Sequence, residues 1–192
     1  MTAAVAGSFV GAALSLYDLA HPILFDMGGG TQRTDTGVLE RLIDHDGSQY
    51  RVTVRSGAGT PMADGYRHHH LGRREAAVEA AFQRLASRRN AGTSLERRSF
   101  RVTALASEVQ CELQAAGQAH SFAEICDAVR MLNTSVIEVE AVGARGPAIG
   151  TKVFPEIRME DLPAGDTQIV VRFNDSPKTA RRLGLTPGEP LS

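Results

Sequence analysis

The stretch Ser121–Val142, SFAEICDAVRMLNTSVIEVEAV, decides the fold predicted for this chain. Ser121 and Glu124 have the S-x-x-E spacing of a capping box, in which the two residues satisfy each other's backbone N–H groups at the start of a helix. The apolar residues behind them follow the i, i+3, i+4, i+7 spacing of one helix face: Phe122, Ile125, Cys126, Val129 and Leu132. From Ile137 to Ala141, apolar and acidic residues alternate, which is the period of a half-buried strand. The stretch therefore predicts a helix followed at once by a strand.

Two further helices are predicted upstream of this stretch. Their apolar stripes consist of Val78, Ala81, Phe82 and Leu85 in the first and of Leu105, Val109 and Leu113 in the second. Thr103 is placed to cap the second helix, and Gly117 is placed to end it in a left-handed conformation. Strand-like runs are present at 100–102 and 149–154, with a Gly/Pro turn at 143–147. Two helices joined by a short Gly-containing turn and followed by a two-stranded wing predict a winged helix-turn-helix.

The N-terminal part predicts a β-hairpin. The runs 38–43 and 49–55 have strand character and flank Asp46-Gly47, a strong hairpin dipeptide. Residues 155–166, which include two prolines, are expected to be an irregular connector, and 169–173 to be a strand. The predicted fold class is therefore α+β, a winged helix-turn-helix with an N-terminal β-hairpin extension. The expected division is an arm and hairpin at 1–66, a winged-helix domain at 67–174, and a disordered or truncated C-terminal tail at 175–192.

Composition and charge exclude several classes of protein. The chain has 192 residues and two cysteines, without a C-x-x-C pair, so neither a disulfide framework nor a zinc ribbon is expected. No Lys or Arg precedes Arg33, which argues against a secretory signal, and no run reaches the ~20 apolar residues of a membrane span. A reduced cytoplasmic protein with no membrane association is expected.

No motif predicts catalysis or metal binding. The run FDMGGGT (Phe25–Thr31) resembles the phosphate-binding turn of Hsp70/actin-type ATPases, but the further Asp and Gly motifs of those enzymes are absent. The consecutive histidines His68–His70 have no nearby Cys or acidic cluster, so a solvated or phosphate-facing loop is the better interpretation. No nucleophile–base or paired-carboxylate arrangement is present either. We therefore expect neither an enzyme nor a bound metal or cofactor.

Several runs together resemble the first winged-helix domain of Rep-type (RepA-like) plasmid replication initiators. They are LSLYDLA (14–20), DGSQYRVTV (46–54), EAAVEAAFQRLA (75–86), SFRVTALASEVQCELQAAGQAHSFAEICDAVRMLNTSVIEVE (99–140) and IVVRF (169–173). The resemblance implies a DNA-binding initiator that contacts plasmid origin repeats in double-stranded DNA. It also implies a homodimer in the repressor form and host replication proteins as partners. Family members continue into a second winged helix, and this chain is expected to stop where that domain would begin.

Charge distribution suggests where DNA is touched. Although the net charge is −1, nine arginines against three glutamates lie between residues 67 and 101. Lys and Arg neutralise DNA phosphates, so the expected phosphate contacts are Arg88, Arg89, Arg97, Arg98 and Arg101, with Arg145 at the wing tip. Arg130 is placed to reach a groove. His120 and Ser121 precede the third helix, where backbone N–H groups favour a phosphate.

Two alternatives remain open from the sequence. The third helix carries more acidic than basic residues, which phosphates would repel, so a winged-helix dimerisation or interaction module with little DNA affinity is one alternative. A winged-helix transcriptional regulator is the other, since a fold does not fix a function.

Overall fold

The computed structural model describes residues 20, 25, 32–33, 38–45, 47–55, 60–62, 65–67, 71–91, 100–143, 148–174, 179 and 182–183. These residues form an α+β fold, which confirms the predicted class. The helices are α1 (Arg73–Ala91), α2 (Ala106–Ala115) and α3 (Phe122–Thr134). The strands are β1 (Gln32–Arg33), β2 (Val38–His45), β3 (Ser48–Arg55), β4 (Thr60–Met62), β5 (Gly65–Arg67), β6 (Arg101–Leu105), β7 (Val136–Ala141), β8 (Ile149–Thr151), β9 (Glu156–Asp161) and β10 (Thr167–Arg172).

The three helices pack against one another around a single apolar core. The core includes the predicted stripe residues Phe82, Leu85, Val109, Leu113, Ile125, Val129 and Leu132, each of which is at most 7% exposed. The three apolar stripes predicted from the sequence therefore lie in one core. Phe122 is different, because its side chain is 38% exposed at the first position of α3. The stripe therefore begins one turn later than its spacing indicates.

The predicted N-terminal hairpin exists and belongs to a larger sheet. Strands β2 and β3 pair antiparallel from Val38 opposite Arg55 to His45 opposite Ser48, and Gly47 in the connection has φ +73°. Strand β3 also pairs with β7 over six residue pairs, and the antiparallel sheet has the order β1-β2-β3-β7-β8. The hairpin is therefore continuous with the two strands expected to form the wing.

A second sheet has the order β6-β10-β9 and is also antiparallel. The predicted strand at 169–173 is confirmed, with Ile169, Val171 and Phe173 buried on one face. The expectation of an irregular connector at 155–166 is wrong, because β9 occupies 156–161. Strands β4 and β5 pair as a further short hairpin.

The ends of α2 show one correction and one confirmation. Thr103 does not cap α2, because it lies within β6 and the helix begins after Leu105. Asp166, in the turn before β10, instead accepts bonds from the backbone N–H (3.3 Å) and hydroxyl of Ser107. At the other end Gly117 has φ +74°, and the N–H groups of Gly117 and Gln118 donate to the carbonyls of Gln114 and Leu113, each at 2.9 Å. This is the Schellman arrangement that a glycine after a helix predicts.

Part of the segment expected to be a tail is packed. Thr179 and Leu183 are buried, and the N–H of Leu183 donates to the carbonyl of Thr179 at 2.9 Å. The amide of Asn90, at the end of α1, donates to the Leu183 carbonyl at 2.8 Å. Thr179 and Leu183 are therefore packed against the rest of the protein and do not belong to a disordered tail. The boundary at 174/175 itself stays a prediction.

The order α1-β6-α2-α3-β7-β8 is compatible with a winged-helix-like fold. The strand pairing differs in two ways from that of a self-contained three-helix unit with a wing. Strand β6 pairs with β10, and strands β7 and β8 are joined to the N-terminal hairpin. The strands expected as a wing are therefore part of a five-stranded sheet.

Candidate nucleic-acid interface

Six of the nine residues predicted to contact DNA lie in the described part of the chain: Arg88, Arg89, Arg101, His120, Ser121 and Arg130. Arg97, Arg98 and Arg145 lie outside it, and their role stays a prediction. The six do not share one element. Two are on α1, one is on β6, and three are at or within α3.

An arginine-rich face runs along the C-terminal half of α1 and consists of Arg84, Arg88 and Arg89; we call it the α1 arginine face. Its residues meet two carboxylates on α2. Arg84 Nε lies 3.2 Å from Glu112 Oε2, Arg88 bonds the other oxygen of Glu112, and Arg89 lies 2.9 Å from Glu108 Oε1. The arginine nearest the end of α1 meets the glutamate nearest the start of α2, so the two helices run antiparallel where these ion pairs link them. Three guanidinium groups against two carboxylates leave a net charge of +1.

Glu112 is the central carboxylate of this face. Its side chain is 14% exposed, whereas those of Arg84 and Arg88 are 42% and 60% exposed. The hydrogen bond from Arg88, assisted by the one from Arg84, lowers the pKa of Glu112 below its ordinary value despite partial burial. Glu112 is therefore ionised at neutral pH and balances one of the two arginine charges beside it.

A groove of about 450 Å³ opens beside the α1 arginine face. It is lined by Ala80, Gln83, Arg84, Ser87, Arg88 and Arg182. Arg84 and Arg182 were not among the predicted contacts. Arg84 could have been found from its i, i+4 spacing to Arg88, which places both side chains on one side of a helix. Nothing local indicates Arg182, because its position depends on the packing of Thr179 and Leu183.

Arg101 contributes to a different surface. Its guanidinium bonds both carboxylate oxygens of Glu156 on β9, at 2.7 and 2.8 Å. Because β10 separates β6 from β9 in the sheet, this pair spans the outer face of the three-stranded sheet. Both side chains are about half exposed, so the pair lies in solvent.

The start of α3 is occupied by its own carboxylate. Glu124 Oε2 accepts bonds from the backbone N–H and the hydroxyl of Ser121, both at 2.8 Å, and the N–H of Glu124 donates back to Ser121 Oγ. The capping box is thus confirmed. The Ser121 backbone N–H, followed by its hydroxyl, lowers the pKa of Glu124. A phosphate at this helix end would meet a negative charge, which disfavours the phosphate role expected of His120 and Ser121.

The predicted groove residue Arg130 is exposed on α3. Its Nη1 lies 2.9 Å from Asp127 Oδ1, one turn earlier on the same helix. Both side chains are about 60% exposed, and such surface pairs contribute little to stability. Arg130 is therefore available to an incoming group at low energetic cost.

The outer face of the five-stranded sheet provides a useful contrast. Arg51 lies 2.8 Å from Glu40 and 3.4 Å from Glu140, and Arg55 lies 3.0 Å from Glu138. Here two arginines meet three carboxylates, so the net charge is −1. Although it has a groove of about 380 Å³, this face is a poor match for DNA phosphates.

The described residues hold no group of three or more His, Cys, Asp or Glu side chains placed to bind a metal ion. His68–His70 lie outside them, so the expectation of no metal stays a prediction. Among the described helices, none combines the length and apolar composition that crossing a membrane requires.

Comparison with known proteins identifies a shared fold. No protein-family model matches the sequence, and no curated protein matches it. The chain is similar to the crystal structure of a selenomethionine derivative of domains 2 and 3 of RctB, with a TM-score of 0.51 and 10% identity over 84% of this chain. A second crystal structure of RctB domains 2–3 gives a TM-score of 0.51 and 8% identity over 86%. The matches cover 60% and 58% of the RctB chains, so this chain spans about three fifths of their length.

Proposed function

We propose that this chain is a DNA-binding replication initiator, or part of one, that contacts DNA phosphates through the α1 arginine face. The observation that carries the proposal is the likeness to RctB domains 2–3, which extends over 84% of the chain and supports an initiator-like fold. The family suggested by the sequence, Rep-type plasmid initiators, also consists of replication initiators. A fold alone does not fix a function, so the proposal also needs a surface suited to DNA.

The α1 arginine face supplies such a surface. Its three guanidinium groups are between 42% and 60% exposed, and Arg182 adds a fourth in the adjoining groove. The three guanidinium groups of the face and the carboxylates of Glu108 and Glu112 together carry a net charge of +1. Phosphate contacts of this kind supply affinity and position a protein on DNA without reading sequence.

The finer parts of the proposal follow from the family suggested by the sequence. They are a winged helix-turn-helix as the DNA-binding unit, iterated plasmid origin repeats as the target, a homodimer, and host replication proteins as further partners. The protein would act in the cytoplasm without catalytic activity. Replacement of Arg130 with alanine would change the protein's preference between DNA sequences, because a contact to a base edge carries sequence information. Glu124 and Asp127 lie near it and oppose deep entry of α3 into a groove.

Fluorescence anisotropy with labelled DNA duplexes tests the proposal. The double variant R88Q/R89Q should weaken binding to unrelated duplexes about equally, and each phosphate interaction that it removes should flatten the log–log salt dependence by roughly one unit. The matched control is R51Q/R55Q, which removes the same charge from the outer face of the five-stranded sheet. Parent protein that fails to bind DNA at low salt, or equal effects of the two double variants, would refute the proposal.

A second candidate function is favoured by one observation. Each of the four predicted arginine contacts in the described residues has a carboxylate partner: Arg88, Arg89, Arg101 and Arg130. An interaction module would use such pairs to keep its surface neutral and would self-associate independently of DNA. The anisotropy experiment separates the two functions, because DNA binding depends on salt and on Arg88 and Arg89, whereas dimerisation through apolar contacts would be insensitive to R88Q/R89Q and only weakly sensitive to salt.

A further inference from the structure

We propose that Glu112 is a built-in competitor for DNA phosphate: it occupies Arg84 and Arg88 in the free protein, and a backbone phosphate takes its place in the groove completed by Arg182. This inference rests on the proposed function and adds its regulation. It also places Arg84 and Arg182 in the surface that contacts DNA, although neither was among the contacts predicted from the sequence.

The geometry of Glu112 suits competition. One of its carboxylate oxygens meets Arg84 and the other meets Arg88, so a single anion bridges two guanidinium groups on successive turns of α1. Side chains at i and i+4 are about 5–6 Å apart at Cβ, which lets one phosphate bridge them as the carboxylate does. Carboxylate and phosphate are the two anions that arginine binds with paired hydrogen bonds.

The arginines retain the means to bind a second anion. Each guanidinium has five N–H donors, and the carboxylate of Glu112 uses only some of them. Arg84 Nη2 also lies 3.3 Å from the backbone carbonyl oxygen of Glu112. This contact holds Arg84 near α2 when the carboxylate is replaced, so a neutral side chain at 112 would leave Arg84 placed and available.

The location of the groove favours an incoming phosphate over a buried ligand. The groove is open, and its wall includes the exposed guanidinium groups together with the polar side chains of Gln83 and Ser87. Glu112 is not among the residues that line the groove, and its side chain is much less exposed than those of its two arginines. A phosphate can therefore approach from solvent and share the arginines before it displaces the carboxylate.

As a consequence, the protein should bind DNA more weakly than it would if the same arginines had no carboxylate beside them. Glu112 cancels one of the charges in the groove, so its neutralisation should tighten binding to any duplex by about three- to tenfold at low salt. The log–log salt dependence should become steeper by up to roughly one unit, because one more phosphate contact releases counterions.

The experiment compares E112Q with E138Q by anisotropy on a 20-base-pair duplex over a range of NaCl concentrations. Glu138 is the matched control because it is also a carboxylate paired with an arginine, Arg55, but lies on the outer face of the five-stranded sheet. Both variants change the net charge equally, so a general electrostatic effect would be the same in both. Tighter binding and a steeper slope for E112Q alone support the proposal.

Other outcomes are equally decisive. If the parent binds DNA and E112Q behaves as E138Q does, the competition is refuted while the proposed function stands. If the parent does not bind DNA at low salt, the proposed function is refuted, and the competition with it, even if E112Q binds. If none of the three proteins binds DNA at low salt, both ideas are refuted.

A second pair of variants keeps the proposal testable if E112Q does not fold. R182Q removes the third arginine of the groove without touching Glu112, and R158Q removes an arginine from β9 whose side chain is 78% exposed. R182Q should weaken binding about three- to tenfold more than R158Q. Equal effects would show that the groove is not where phosphate binds.

Discussion

Replacing Phe154 with alanine should be among the most destabilising single changes in this protein. Phe154 is fully buried between β8 and β9, and its ring meets two other aromatic rings edge to face. The ring centroids lie 5.8 Å from Phe82 on α1 and 5.2 Å from Phe173 after β10. One side chain thus joins the helical core to the three-stranded sheet.

The expected destabilisation follows from how little the site can collapse. A buried Phe→Ala change typically costs about 3–5 kcal/mol, and the cost is largest where the surroundings cannot move into the cavity. The Phe154 N–H donates to the Leu132 carbonyl at 3.3 Å, and the Asn133 amide donates to the Phe154 carbonyl at 2.8 Å. Because the backbone is held on both sides and the substitution removes two aromatic pairs, we expect the upper half of that range.

Urea unfolding followed by circular dichroism measures this destabilisation, with Phe122→Ala as the matched control. Phe122 is 38% exposed, so the same substitution there should cost no more than about 1 kcal/mol. The midpoint of thermal unfolding should fall by about 8–20 °C for Phe154→Ala. A destabilisation below about 1.5 kcal/mol, or one equal to that of the control, would show that Phe154 does not join the two parts of the core.

Three further changes test other parts of the structure. Ile125→Ala should reduce the free energy of unfolding by about 2–5 kcal/mol, because Ile125 is fully buried, and a reduction below about 0.5 kcal/mol would mean that α3 is packed elsewhere. Gly117→Ala should cost about 1 kcal/mol from its positive φ alone, since no atom lies within 4 Å of the added Cβ; unchanged stability in urea would contradict the Schellman geometry. The hydrogen bond from Ser107 lowers the pKa of Asp166, so the stability it contributes is present above the unfolded-state pKa and is lost as pH falls through the folded-state pKa. Asp166→Asn should abolish that part of the acid dependence in thermal melts at successive pH values, and an unaltered profile would contradict it.

Local patterns predicted the helices and the first hairpin because their signals lie within a few residues. The stripe that contains Ile125 and Val129 and the Asp46-Gly47 pair needed no knowledge of distant partners. The pairing of β6 with β10 and of β7 with β3 could not be predicted in this way, because the partner strands are far apart in sequence. Strand β9 did carry an alternating signal, in which Ile157 and Met159 are flanked by charged residues, but the prolines beside it favoured a connector.

The candidate site was predicted only in part, for a related reason. The abundance of arginine on α1 was visible in the sequence, and so was the acidic character of α3. The carboxylates that meet those arginines belong to α2, and their effect depends on how two helices pack. Glu108 and Glu112 have the same i, i+4 spacing as Arg84 and Arg88, so ion pairs between the two helices could have been predicted from the sequence.

The pairing of β3 with β7 also has a consequence for synthesis of the chain. Arg51 and Glu140 are neighbours in the sheet although 89 positions separate them. At about 5–20 residues per second, the hairpin of β2 and β3 would leave the ribosome roughly 5–20 s before its partner strand. During that interval β3 has an unpaired edge that can join another chain, which is the usual origin of strand exchange between copies. A fragment that begins at residue 67 lacks β3 and would leave that edge of β7 unpaired, so we expect such a fragment to associate with other copies.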